Sequence, residues 1–220
     1  MQIATPRFVL RDFEEPDRVA FVRYQTDPRY RNLYDFDEAY ADVASDLFSL
    51  FLAWQREVPR QNHQLGIFER STRRLCGCAG LRGADSREHE AVLGIELTPD
   101  DWGRYRLALE IASALIAFGF GELELDRIRG STASGNRRVE RLARWFGAEI
   151  TAEREGAEWM RARGWIEVDW CLPRARWAET RGGWAGGCPG RRVLERFRPH
   201  DRRENVARWT TRAFTPAWDG

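Results

Sequence analysis

Residues able to do chemistry cluster in the middle third of this chain. The run AVLGIEL leads into LTPDD, the loop WGRYRLA follows, and an apolar segment from Leu107 to Gly121 begins behind it. The amides at a helix N-terminus have no helical partners and carry partial positive charge, so a strand–loop–helix junction of this kind can cradle a phosphate. Within the preceding strand, Glu96 is a lone carboxylate among apolar residues. The pleat leaves it two fates, entry into a site or exposure on the other face. Cys76, Cys78, Cys171 and Cys188 read as free thiols. Cys76 and Cys78 lie two apart in a strand-like run and are expected on one face. His63, His89 and His200 show no ligand spacing, so no metal site is expected.

The elements that must hold these residues follow from periodicity. Residues 7–12 predict a short strand and 15–26 a helix with Pro16 near its start. From Asp37 to Gln55, Tyr40, Val43, Leu47, Phe51 and Trp54 recur at three and four residues and predict one apolar helix face. QLGIFE, LCGCAGL and AVLGIEL predict three strands that can pair antiparallel. Leu107 to Gly121 is apolar almost all round and predicts a buried helix. Residues 126–134 predict a strand, and Asn136 caps a helix whose inner stripe is Val139, Leu142, Ala143 and Phe146, stopped at Gly147. Two further strands are expected at 148–153 and 164–172. The order predicts an α/β (α+β) fold, a mixed sheet with helices packed on it.

Composition sets the outer bounds. The chain has 220 residues, is 43% hydrophobic and carries a formal net charge of +1, so bulk charge gives no reason to expect a nucleic-acid partner. All 35 basic residues are Arg. No apolar run approaches the ~18 residues of a membrane span, and the start lacks a signal-peptide pattern, so no membrane partner and a cytoplasmic location are expected. Beyond Trp177 the composition changes to a Gly-rich connector and an Arg- and Trp-rich stretch. The expected division is a domain over 1–178 and an extension over 179–220. The extension is expected to pack through Trp184, Phe197, Trp209 and Phe214, near an acceptor site or in a homodimer.

These pieces together resemble the GNAT superfamily, in particular its ribosomal-protein-alanine acetyltransferase (Rim-type) branch. TPRFVLRDFEEPD is similar to the branch's first strand and helix start, and LGIELTPDDWG to its fourth strand and following loop. Glu110, Phe118, Phe120, Leu123, Leu125, Arg127 and Ile128 fall on its long helix and fifth strand. Asn136 to Gly147 keeps its spacing, and GWIEVDWCLPRARW is similar to its last strand and terminal Trp, for a coverage of roughly residues 5–178.

The resemblance implies a splayed sheet with a cleft between 93–98 and 126–133, where acetyl-CoA lies as acyl donor. It implies that the backbone of Gly103, Arg104, Tyr105, Arg106, Leu107 and Ala108 holds the pyrophosphate. The pantetheine arm then runs along Ile95, Leu97 and Thr98, with Asn136 nearby. It implies direct attack by a primary amine, from a small molecule or a protein N-terminus, and Glu96 is the candidate base. Two other readings stand beside this one: a longer acyl or other thioester donor, and a non-catalytic binding module on the same fold.

Four positions depart from the family pattern. Its phosphate loop has the form Gln/Arg-x-x-Gly-x-Gly/Ala, and here the central Gly position holds Arg106 and the first holds Gly103. The branch's Ser after the helix Asn is Val139, and the Tyr acid of many relatives is Ala143. Arg137, Arg138, Arg141 and Arg144 form a basic stripe expected on the outer side of that helix, meeting either solvent or the 3′-phosphate of CoA.

Overall fold

The computed structural model describes residues 1–34, 40–85 and 89–182. Eight strands form one sheet in the order β1-β2-β3-β4-β5-β6-β8-β7. They are β1 (Gln2–Ala4), β2 (Phe8–Arg11), β3 (Asn62–Glu69), β4 (Leu75–Asp85), β5 (Glu90–Leu97), β6 (Arg127–Ala133), β7 (Glu149–Glu155) and β8 (Ile166–Pro173). The helices are α1 (Arg18–Gln25), α2 (Pro28–Tyr34), α3 (Tyr40–Trp54), α4 (Tyr105–Gly121), α5 (Arg137–Trp145), α6 (Glu158–Arg161) and α7 (Arg174–Gly182). β3, β4 and β5 pair antiparallel as expected, and β5 with β6 is the parallel pair. The mixed, helix-flanked sheet is the expected class.

The two faces of the sheet bury different material. One is aliphatic. Leu109, Ile111, Leu115 and Ile116 of α4 and Leu142 of α5 pack with Leu65, Leu81, Leu93 and Ile95 of the strands. Full burial of each such side chain is worth about 1.5–3 kcal/mol, so α4 anchors this side. Trp177 of α7 closes its end, with ring centroids 5.7 Å from Phe146 and 6.4 Å from Phe120. The other face is aromatic. Phe13 meets Phe21 at 5.6 Å and Phe48 at 5.2 Å in edge geometry, and α1 packs against α3 through this cluster.

Two sequence expectations are corrected here. On α3, Ala44, Phe48 and Phe51 are buried, whereas Val43 is 53% exposed. The apolar positions of α3 exceed one stripe, and the aromatic cluster selects the arc that fits rings. Cys76 and Cys78 do not share a face: Cys76 belongs to the aliphatic cluster and Cys78 to the aromatic one. The register shifts between Ile67 and Phe68, whose partners are Gly77 and Leu75, so one extra residue on β4 resets the alternation. Gly77 sits there at φ +143, where an added Cβ would collide with the Glu96 carbonyl. The anchors assigned to the extension, Trp184, Phe197, Trp209 and Phe214, lie outside the described residues.

Candidate active site

The parallel pairing of β5 and β6 is short. It joins Glu90 to Arg127, Ala91 to Ile128 and Val92 to Arg129, and then stops. β5 stays paired to β4 as far as Leu97, while β6 follows β8 to Ala133. The strands therefore diverge from Leu93 onward into the expected cleft. A carboxylate sits at the point of the V: Glu90, 9% exposed, makes ion pairs with both Arg127 and Arg129 of β6. Beyond the pairing, the cleft-side backbone groups of Ile95, Glu96 and Leu97 have no partner strand on β6, and such groups favour a hydrogen-bonding ligand.

Glu96 lies near the open end of β5 and is buried, at 6% exposure. Its side chain does not face solvent. Leu93, Ile95 and Leu97 turn to the aliphatic face, so the pleat sends Glu96 to the face that α1 and α2 cover. There Tyr30 donates its hydroxyl hydrogen to Oε2 at 2.8 Å, and Gln25 donates its amide to Oε1. Gln25 is fully buried and Tyr30 is 3% exposed. Both donors are neutral, so they fix the carboxylate without cancelling its charge. Tyr24 packs edge-on to Tyr30 at 6.0 Å and donates to Sγ of Cys78 at 3.4 Å. Burial pushes both the Tyr24 hydroxyl and the Cys78 thiol up, so each is protonated near neutrality. Arg82 is buried on the same face, and burial pulls its guanidinium down to about 10, with Cys78 and Glu96 opposing that shift. Sequence reasoning missed Gln25, Tyr30, Arg82 and Glu90. Gln25 and Tyr30 end one helix and begin the next, where periodicity carries no signal. Arg82 and Glu90 stand in strands whose pairing set their roles.

The junction after β5 is braced by one carboxylate. Asp101, fully buried, accepts from Arg74 at 2.7 and 3.0 Å, from Arg104 at 2.5 Å and from the Thr98 hydroxyl at 2.8 Å. Burial pushes its carboxyl up, and the donors from Arg74, Arg104 and Thr98 outweigh that and hold it below the ordinary range. Trp102 Nε1 donates to the Leu97 carbonyl at 3.0 Å. Gly103 then turns the chain at φ +86, the left-handed region that favours glycine. α4 begins at Tyr105, so Arg106 occupies an ordinary helical position and its side chain is exposed. The Arg106 carbonyl accepts from Arg7, whose Nε also pairs with Glu110 at 2.7 Å. Arg104 stands 3.7 Å from Glu69 in addition to its bond to Asp101, which draws its guanidinium back toward β3 and β4.

Of the remaining predicted residues, Leu107 and Ala108 are buried in the aliphatic core by their side chains, which leaves only their backbone for a ligand. Asn136 caps α5, its side-chain oxygen accepting from the Val139 amide at 3.3 Å. Val139 and Ala143 are core residues at 2% and 5% exposure, so neither supplies an acid or a hydroxyl. The structure brings Ile95, Glu96, Leu97, Thr98 and the loop 103–106 onto one continuous segment at the mouth of the V. The described residues contain no His, Cys, Asp and Glu group able to hold a metal ion, and no helix long and apolar enough to cross a membrane.

Comparisons agree with this architecture. The profile of the acetyltransferase (GNAT) domain matches residues 7–149. The N-acetyltransferase YoaA of Bacillus subtilis (strain 168), itself uncharacterized, is 28% identical over 143 residues, spanning 64% of this chain and 78% of that protein. Among solved structures, a GNAT-family acetyltransferase from Bacillus anthracis aligns with a TM-score of 0.60 at 20% identity, covering 79% of this chain and 98% of its own. A protein from Vibrio cholerae, proposed as a ribosomal-protein-serine acetyltransferase, gives 0.60 at 22% identity, with 79% and 97% covered. A spermidine N-acetyltransferase from the same species gives 0.61 at 14%, with 76% and 96% covered. With the V-shaped sheet, the loop behind β5 and a family profile spanning most of the fold, the chain belongs to the GNAT acetyltransferase family.

Proposed function

We propose that this chain is an N-acetyltransferase that moves an acetyl group from acetyl-CoA to a primary amine by direct attack, with Glu96 as base. The observation that carries this reading is the buried Glu96 carboxylate, held by Tyr30 and Gln25 on the strand that leaves β6. Tyr30 and Gln25 are neutral donors, so with the buried Arg82 as the cation on that face the carboxylate can still serve an ammonium or a water beside it. Glu96 removes a proton from the incoming ammonium. The amine lone pair then attacks the thioester carbonyl and the C–N bond forms; as the C–S bond breaks, the nitrogen loses its second proton to water and the leaving thiolate takes a proton from solvent. Val139 and Ala143 offer no acid for that last step, and the low basicity of a thiolate makes water sufficient. The backbone of Gly103 to Ala108 takes the pyrophosphate, and Ile95 to Thr98 pairs with the pantetheine arm. The acceptor is a small-molecule amine or a protein N-terminus; acetylation of an amine is also the activity named for the spermidine enzyme that shares this fold. The test is thiol release from acetyl-CoA across an amine panel, with the product weighed by mass spectrometry. A product heavier by one acetyl group supports the reading. Hydrolysis alone, or no release with any amine, overturns it.

A further inference from the structure

Two cross-strand rows beside α5 form the floor of a groove. In the first, Thr132 of β6 pairs with Val168 of β8, and Val168 with Glu153 of β7. In the second, Gly130 pairs with Trp170, and Trp170 with Ile150. Residues opposite one another on paired strands share a face of the sheet. Trp170 belongs to the aliphatic cluster, so both rows lie on the face away from Glu96. Its ring fills the space that Gly130 leaves, so closely that an added Cβ would stand 2.2 Å from Cζ2. The groove holds ≈ 540 Å³, its open mouth included, which is room for one small molecule. Ala143 and Ala148 line it with short side chains, and Ile150 stands 44% exposed at its outer wall.

The polar groups of the groove stand in a definite order. At the inner end, Thr132 is 4% exposed and its hydroxyl finds no hydrogen-bond partner among the described residues. A buried polar atom left unpaired costs free energy that a ligand atom recovers. On the α5 rim, Arg137 and Arg144, two of the arginines expected in one outer stripe, share Glu140 at 3.1 and 2.9 Å, which leaves one positive charge over. On the β7 rim, Glu153 makes no ion pair with a described residue. The rims therefore carry opposite charge across a hydrocarbon floor. A ligand with a single charge serves one rim and leaves the other uncompensated. We infer that this groove binds a free α-amino acid with an apolar side chain. Its carboxylate meets Arg137 and the Thr132 hydroxyl, its ammonium meets Glu153, and its side chain lies over Trp170 and Ile150. Thr132 and Glu153 are separated by β8 alone, about 10 Å at the backbone. An ammonium and a carboxylate on one carbon, with a hydrogen bond at each end, match that span. The bound amine is out of reach of Glu96 on the opposite face, so it is not the acetyl acceptor, and the inference does not rest on the acetyl-CoA reading.

Isothermal titration with probes that share one apolar body tests this: L-leucine, isocaproate, which lacks the ammonium, and isopentylamine, which lacks the carboxylate. The proteins are wild type, Thr132→Val, Glu153→Gln, and Glu96→Gln as a control on the other face, with unfolding recorded for each. Wild type is expected to bind leucine at least about tenfold more tightly than either singly charged probe, as loss of a charge-assisted contact implies. Thr132→Val and Glu153→Gln are each expected to weaken leucine about fivefold or more. Glu96→Gln is expected to stay within about twofold, because distant sites act independently. Glu153 is exposed, so its variant reads the groove even where Thr132→Val fails to fold. Three results overturn the inference: no binding of leucine to wild type, equal affinity for all the probes, or leucine binding that falls in Glu96→Gln and persists in the groove variants.

Discussion

The two faces of the sheet solve different problems. Under α4 and α5 the buried side chains are mostly aliphatic, with Phe120, Phe146 and Trp177 at one end and Glu110 and Ser113 the buried polar groups of α4. Under α1, α2 and α3 the cover is aromatic, and beneath it run Gln25, Gln64, Arg82 and Glu96, each 6% exposed or less. Burying polar groups costs free energy unless each finds a partner, so a fold driven by stability alone fills both faces with hydrocarbon. The contrast marks one face as scaffold and the other as the place where structure tolerates cost for chemistry. The same β5 serves both faces, with Ile95 turned to the aliphatic one and Glu96 to the polar one.

Substitutions on the two faces should separate stability from turnover. The largest stability loss is expected from Leu109→Ala on α4, which is fully buried in the aliphatic cluster. Thermal or denaturant unfolding should show a loss of about 2–5 kcal/mol, with kcat per folded molecule little changed. A loss confined to kcat would mean that the aliphatic face is part of the chemistry.

Next in size is the brace at Asp101. Its carboxyl is held below its unfolded value, so the folded state favours the ionised form. That contribution is present above the unfolded value and is lost as pH falls through the lower folded one. Unfolding followed from neutrality down through the carboxylate range should show wild type losing stability that Asp101→Asn has already lost. The variant is expected to be less stable by about 1–3 kcal/mol at neutral pH. Parallel curves for the two proteins would remove the brace.

The smallest effect is expected from Tyr30→Phe, which keeps the ring and removes one donor to Glu96. Turnover should fall by roughly five- to tenfold, in line with about 1–1.5 kcal/mol for one hydrogen bond, with unfolding nearly unchanged. A large drop in stability with turnover intact would make Tyr30 a packing residue.

Much of this division is legible in the sequence, and the rest fails for identifiable reasons. The apolar run of α4, the strand alternation around Glu96 and the Asn136 cap are local patterns, and local periodicity specifies them. The splay between β5 and β6 is not local. It came from family resemblance, and its physical cause, pairing that ends at Val92–Arg129 with Glu90 holding two arginines, requires strands 35 residues or so apart to meet. Val43 and the two cysteines show the same limit. Periodicity said that α3 has an apolar face, but the ring cluster of Phe13, Phe21 and Phe48 chose which one. A single bulge at Gly77 undid an inference that spacing alone supported. Gln25 and Tyr30 were invisible because their function is to touch a residue some 70 positions away.

The central claim is that a buried carboxylate on the polar face, and not the scaffold around it, performs the proton transfer. Single-turnover acetyl transfer from acetyl-CoA to an amine, measured for wild type and Glu96→Gln with CoA affinity and unfolding recorded on the same samples, tests it most directly. Gln matches the carboxylate in shape and cannot act as base. The expected result is a rate lower by roughly 10²–10⁴-fold, with CoA binding and stability close to wild type. Full transfer by Glu96→Gln at every pH would contradict the claim.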